Sequence, residues 1–351
     1  MELSPEDSLR LNVMIPNVVA IRIDETRMIV YGLSVSGDEI SAALHPTGNP
    51  ERYLKQVREL LSTMILDSPG GYPVYIKRWS RMGHTRNKQL EKLLMIGEMD
   101  AVTAVSRSPD LNDTLAERVW WAATNQSNQI EIGCYMLSSE CVLDTPTSKV
   151  IANYLFEHLP FMTRSRDVIN TVNLLLQKDL INEETRQGLW KRGKHKIMFQ
   201  IGFLERCPEQ LPVIPIKPHP LLAQYGDVLG QQANNPIATF LLQLLDTSGQ
   251  AFVQTCQQHF KRIADDETAY RLFNAIGQYF SVAQQHKDDP TLFSELPEMA
   301  AWWTCCRQLA NTHENQIIHL INEVGPIGSL IRKKITPVSQ PILENLKKMN
   351  P

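Results

Sequence analysis

KQLEKLLMI (residues 88–96), EMDAVTAVS (98–106) and DTLAERVWWAA (113–123) decide how this chain folds. Each segment puts apolar residues three and four positions apart, the spacing of an amphipathic helix. Gly97 separates the first two, and Thr114-x-x-Glu117 reads as a capping box for the third. Helices of about ten residues joined by short breaks then recur to the end of the chain. Thr145-Pro146 and Asn235-Pro236 repeat the start signal of a capping residue followed by proline. The expected fold is mainly α: a helical array resembling HEAT-type solenoids, although no fixed repeat period is present.

Working back toward the N-terminus, the texture changes. VVAIRI (18–23) and MIVYGL (28–33) are rich in β-branched residues and are separated by Asp24-Glu25-Thr26-Arg27, which predicts a β-hairpin. Ile40–Leu44 reads as a third strand. ERYLKQVRELLSTMIL (51–66) aligns Tyr53, Leu54, Val57, Leu60, Leu61 and Met64 on one helical face, after an Asn49-Pro50 start. Tyr72–Trp79 reads as extended. Residues 1–86 are therefore expected to form a small α+β module, and residues 87–206 helical layers. Residues 207–234 hold Pro208, Pro212, Pro215, Pro218 and Pro220, too many for a continuous helix, and read as a connector. A second helical block is expected over 235–351, with helices near 236–246, 248–264, 267–286, 298–311 and 314–324 and a basic amphipathic tail over 332–348.

The 351 residues carry 35 basic and 38 acidic side chains, a net charge of −3, which excludes a globally basic nucleic-acid binder. The acidic N-terminus is unlike a secretory signal, and the longest charge-free stretch, Val228–Leu245, is too polar to span a membrane. Six cysteines without a C-x-x-C spacing suggest reduced thiols in a cytoplasmic protein. No phosphate-binding glycine loop, nucleophile elbow or zinc-binding histidine pair occurs, so no enzyme class, metal or cofactor is indicated.

Two basic segments stand out against that balance. Residues 77–92 hold six basic residues against Glu91, and residues 186–206 hold six against Glu205; each contains a tryptophan. Gly70, Gly71, Lys77, Arg78, Trp79 and Arg81 in the first, with Trp190, Lys191, Arg192 and Lys194 in the second, are candidate contacts for an anion, an RNA or a protein partner. Guanidinium groups would hold phosphate and the indoles would stack. The plainer alternative is two solvated basic faces with the indoles packed inward. Among the cysteines, Cys207 follows Arg206 at the start of the connector, where local charge and exposure would favour a reactive thiol. Cys134 and Cys141, seven residues apart, would share a face if 131–143 were one helix. Vicinal Cys305-Cys306 and the pairs Trp120-Trp121 and Trp302-Trp303 read as packing residues.

LSPEDSLRLNV (3–13), AIRIDE (20–25), VYGLS (30–34), SPGGYPVYIKRWSRMG (68–83), LEKLLMIGE (90–98) and LAERVWWA (115–122) resemble the DsrS proteins, which are encoded with the reverse-acting dissimilatory sulfite reductase system of sulfur-oxidising bacteria. The resemblance covers the first 125 or so residues and implies a cytoplasmic accessory protein of sulfur oxidation with no assigned catalytic residue. The resulting expectation is a non-enzymatic accessory or regulatory protein that binds a protein of the sulfur-oxidation machinery. An RNA- or anion-binding regulator and a thiol-based sulfur carrier using Cys207 are the alternatives.

Overall fold

The computed structural model describes residues 3–67, 87–212, 216–232, 234–286, 289–322 and 328–350. Twenty α-helices and three β-strands lie among them, so the protein is mainly α with a small N-terminal α+β portion. The chain divides into two compact units, residues 1–158 and 159–351.

In the first unit, α1 (Pro5–Met14) precedes β1 (Val18–Asp24), β2 (Ile29–Ser34) and β3 (Glu39–Ala43), which form an antiparallel sheet in the order β1-β2-β3. The predicted hairpin turn is there, with Asp24 accepting from the Arg27 amide at 2.9 Å. Ile21 pairs with Gly32, and Gly32 with Ile40. A Cβ at Gly32 would lie 2.5 Å from the Val18 side chain and 3.3 Å from Met14, so the glycine lets the turn before β1 close over the sheet. Then come α2 (Pro50–Leu66), α3 (Asn87–Leu93), α4 (Met99–Ser106), α5 (Asp113–Ala123), α6 (Gln129–Leu137), α7 (Glu140–Leu143) and α8 (Pro146–His158).

Helix starts follow local chemistry. Asn49 caps α2 from its side chain, as its Asn-Pro signal predicts. The cap of α5 is a correction: Asn112, not Thr114, accepts the Leu115 amide at 2.9 Å, slightly earlier than the capping-box pattern suggests. The break after residue 86 does not separate compact units. The Ile21 amide donates to the Leu94 carbonyl at 2.9 Å, and α5 packs on β1, so helices α3–α8 complete the core that a three-stranded sheet cannot close alone.

The second unit contains α9 (Ser165–Leu175), α10 (Glu183–Arg192), α11 (Met198–Arg206), α12 (Leu221–Gln231), α13 (Pro236–Leu245), α14 (Thr247–Phe260), α15 (Asp266–Tyr279), α16 (Val282–Gln285), α17 (Pro290–Glu295), α18 (Pro297–Ala310), α19 (Ile318–Asn322) and α20 (Gly328–Met349). The sequence predicts a connector throughout 207–234. Its prolines end with Pro220, and α12 follows them as a regular helix. The segment is not a boundary between compact units either, because α11 before it packs on α15 after it. The core gathers Phe240, Phe252, Phe273, Phe280 and Trp303. The basic tail is α20, docked through Ile331, Ile335, Ile342, Leu346 and Met349 against α14 and α18. Pro337 and Pro341 sit on its exposed face, where water can take up the carbonyls that lose their helical donors. That closure across distant helices departs from a solenoid, in which each layer touches only its neighbours.

Candidate functional site

Gly70, Gly71, Lys77, Arg78, Trp79 and Arg81 lie outside the described residues. The second basic segment is described, and it does not form a stacking surface. Trp190 is only 7% exposed and meets Phe203 edge to face at 5.2 Å, because Leu189 and Trp190 are the residues that α10 turns into the core. Lys191 and Lys194 are exposed and Arg192 is half-buried. The end of α10 is closed by Arg262, which donates to the carbonyls of Gly193 at 2.9 Å and Lys194 at 2.6 Å. The cation thus satisfies helix-end carbonyls that would otherwise lack donors.

Cys207 is half-buried just beyond α11. Burial pushes its thiol above the ordinary range, and the charges of Arg186 and Arg206 only partly offset this. Arg186 donates to its Sγ at 3.2 Å and to the Gln210 carbonyl at 2.6 Å, so the guanidinium serves the turn as much as the sulfur. Since the thiolate is the reactive form, the surroundings of Cys207 are those of a packed thiol. Cys134 and Cys141 fall on separate helices, α6 and α7, because the chain breaks at Ser138-Ser139. Cys256, Cys305 and Cys306 are buried, and burial raises each thiol. Among the described residues, no group of three or more His, Cys, Asp or Glu side chains is arranged to hold a metal ion.

The first unit presents a different kind of site. Between α1 and β3 runs a groove of about 730 Å³, lined by Leu9, Val13, Met14, Ile40 and Ala42, with Arg10 at one margin. Helix α1 has two apolar stripes. Leu11 and Met14 are buried, whereas Leu9 and Val13, one turn apart on the other side, are 64% and 63% exposed. Ile40 on β3 adds a third exposed apolar side chain, at 38%.

The floor of the groove is a sheet edge. The Ser34 amide donates to the Asp38 carbonyl at 2.9 Å and the Leu44 amide to Met28 at 2.8 Å. Antiparallel bonding alternates, so the even-numbered residues of β3 bond to β2, while Glu39, Ser41 and Ala43 turn their backbone groups to the open edge. Among the described residues, no strand pairs with that edge. The opposite edge, at β1, is covered by the Leu94 carbonyl.

A buried carboxylate anchors α1 beside the groove. Asp7 is 1% exposed and accepts from the Tyr53 hydroxyl at 2.5 Å and the His45 amide at 2.8 Å, with His45 Nδ1 at 3.2 Å. Burial acts to raise its pKa, but the hydrogen bonds from His45, Tyr53 and Ser4 outweigh it and leave the carboxyl below its ordinary value. Arg10 donates to the Ala43 carbonyl at 3.3 Å and pairs with Glu6 at 2.6 Å. These contacts fix α1 to the end of β3 and hold the two walls of the groove apart.

No protein-family model, curated protein or solved structure matches this chain.

The groove was not anticipated from sequence, although one signal for it was present. LRLNVMI (9–15) has more apolar residues than one face of α1 can bury, and Leu9 and Val13 sit four apart, opposite the core stripe. What the segment could not show is that β3, rather than a further helix, lies beside it. Among the described residues, no helix is long and apolar enough to cross a membrane.

Proposed function

We propose that this protein is a non-enzymatic accessory protein of dissimilatory sulfur oxidation, and that it binds a protein of that machinery through the α1–β3 groove. The sulfur-oxidation setting rests on the resemblance to the DsrS proteins. The binding mode rests on the edge of β3, which no strand pairs among the described residues, lying beside exposed Leu9, Val13 and Ile40. An extended partner segment would pair its backbone with Glu39 and Ser41, up to the Ala43 carbonyl that Arg10 occupies, and place alternate apolar side chains in the groove, the arrangement of β-strand addition. A long exposed apolar edge is an aggregation hazard unless it has a partner.

The RNA-binding alternative loses its second tryptophan to the core, and the sulfur-carrier alternative loses an activated Cys207. Crosslinking in extracts of sulfur-oxidising cells, followed by mass spectrometry, tests the proposal. Crosslinks from α1 or β3 to a sulfur-oxidation protein, lost in Val13→Glu and Leu9→Glu at unchanged thermal stability, would support it. Crosslinks confined to other surfaces, or unaltered in both variants, would refute it.

A further inference from the structure

The edge of β3 that no strand pairs among the described residues lacks the usual defences against a further strand. Its sequence, Glu39-Ile40-Ser41-Ala42-Ala43, has no lysine or proline, and it pairs with β2 in unbroken register, without a bulge. The charge on Glu39 is turned away from the edge. Its carboxylate accepts from Arg22 at 2.7 Å and from the Trp121 indole at 3.2 Å, and strand alternation puts it on the sheet face opposite Ile40 and the groove.

The strand is complementary to itself. Turned about a two-fold axis beside Ser41, a second copy of β3 lies antiparallel to the first. Glu39, Ser41 and Ala43 face their backbone groups outward, so Ser41 exchanges both bonds with the second copy's Ser41, and Glu39 does so with the second copy's Ala43. A carbonyl has two lone pairs, so the Ala43 oxygen accepts the new bond beside the one from Arg10 at 3.3 Å. Each large side chain then stands opposite a small one: Ile40 meets Ala42, Glu39 meets Ala43, and Ser41 meets itself. No like charges are set face to face, the arrangement that weakens cross-strand pairs.

Helix α1 fits the same symmetry. Arg10 reaches Ala43, and Met14 approaches Gly32, which pairs with Ile40, so α1 runs antiparallel to β3 along its length. The axis keeps the helices of both copies on one face of the joined sheet. Leu9 and Val13 line the groove beside the edge, and pairing carries them toward their counterparts in the second copy, which takes both exposed stripes out of water. An isologous contact of this kind closes on itself, giving a dimer and not a fibre.

We propose that a second copy of this chain occupies the α1–β3 groove, in a two-fold dimer centred on Ser41 that closes the groove to other strands. The inference rests on the reading of that groove as a site of strand addition, and it makes self-pairing the competitor of the partner protein. One short strand and one helix stripe make a small contact, so the dimer forms reversibly as concentration rises.

Sedimentation equilibrium of the full chain, from micromolar to millimolar protein, tests the dimer, together with charge variants at the axis. The unaltered chain should pass from monomer to dimer. Ser41 is exposed, so Ser41→Glu and Ser41→Lys should melt near the unaltered chain. Each should weaken the dimer roughly fivefold or more, because two like charges meet at the axis. An equimolar mixture of the two variants should recover the dimer, one copy of each, a rescue that requires position 41 to face itself. An unaltered chain that stays monomeric, a dimer that neither variant weakens, or a mixture that fails to recover would overturn the proposal. A monomeric chain whose α1 or β3 still crosslinks to a sulfur-oxidation protein would sink self-pairing and leave the partner reading standing. A rescued dimer without such crosslinks would do the reverse.

Discussion

Asp7 and Tyr53, 46 residues apart, are joined by a 2.5 Å hydrogen bond from the tyrosine hydroxyl to a carboxylate almost wholly removed from solvent. The bond ties α1 to α2 and, through the His45 amide on the same carboxylate, to the segment after β3. Tyr53→Phe should cost about 1–2 kcal/mol and Asp7→Asn about 2–3 kcal/mol, since each leaves buried groups unmatched. The double variant should lose less than the sum, giving a coupling of about 0.5–3 kcal/mol in urea unfolding. Because Asp7 is depressed in the fold, its contribution is present above its unfolded pKa of 3.8 and fades as pH falls through the lower folded value. Additive losses would show that the pair does not act as a unit.

Acid should destabilise the second unit at milder pH through His259. Both ring nitrogens lack partners among the described residues, and burial, with a smaller contribution from Arg262, holds the folded pKa down at about 3 against an ordinary 6.5. The unfolded chain binds the proton first, so stability is full above pH 6.5 and declines below it, by at most about 1.4 kcal/mol per pH unit. His259→Leu should flatten that decline. Denaturant midpoints measured from about pH 7.5 to about pH 4.5 in both proteins check the slope, and equal slopes would contradict it.

Two glycines give opposite expectations. A Cβ on Gly277 would stand 2.0 Å from the Thr312 carbonyl oxygen, a backbone atom that cannot move aside cheaply. Gly277→Ala should therefore destabilise by about 1–3 kcal/mol despite better helix propensity. Nothing lies within 4 Å of a Cβ on Gly188, in α10. Gly188→Ala should stabilise by roughly 0.5–1 kcal/mol. Melting curves of the two variants should move in opposite directions, and a common direction would be inconsistent with these contacts.

Thiol labelling should follow exposure rather than neighbouring charge. Cys141 is exposed, Cys207 is half-buried with a raised thiol, and Cys256 and Cys306 are buried. Limited alkylation at neutral pH, mapped by peptide mass spectrometry, should modify Cys141 first, Cys207 more slowly, and the two core thiols only on unfolding. Cys207 reacting ahead of Cys141 would restore the case for a reactive thiol there.

Local signals were sufficient for many of the elements, though not for α12 within the expected connector. The β-branched runs around Asp24–Arg27 became the hairpin, Asn49-Pro50 and Asn235-Pro236 became helix starts, and the three- and four-residue spacings became helices. Those signals depend on neighbours within a few positions, which sequence displays directly. The functional surfaces were illegible for the opposite reason. Trp190 was indistinguishable from an exposed indole until Phe203 packed on it, and Cys207 from an activated thiol until burial outweighed its arginines.

Helix and strand periods are written into the order of apolar residues, and they alone make this chain mainly helical with a small N-terminal sheet. Where the compact units divide, which edge of the sheet is unpaired among the described residues, and which apolar side chains line a groove are settled by packing instead. Each depends on pairs such as Ile21 with Leu94, Leu9 with Ile40, or Asp7 with Tyr53. Such pairs are far apart along the chain, and what they do to each other is set by burial and distance in the folded protein.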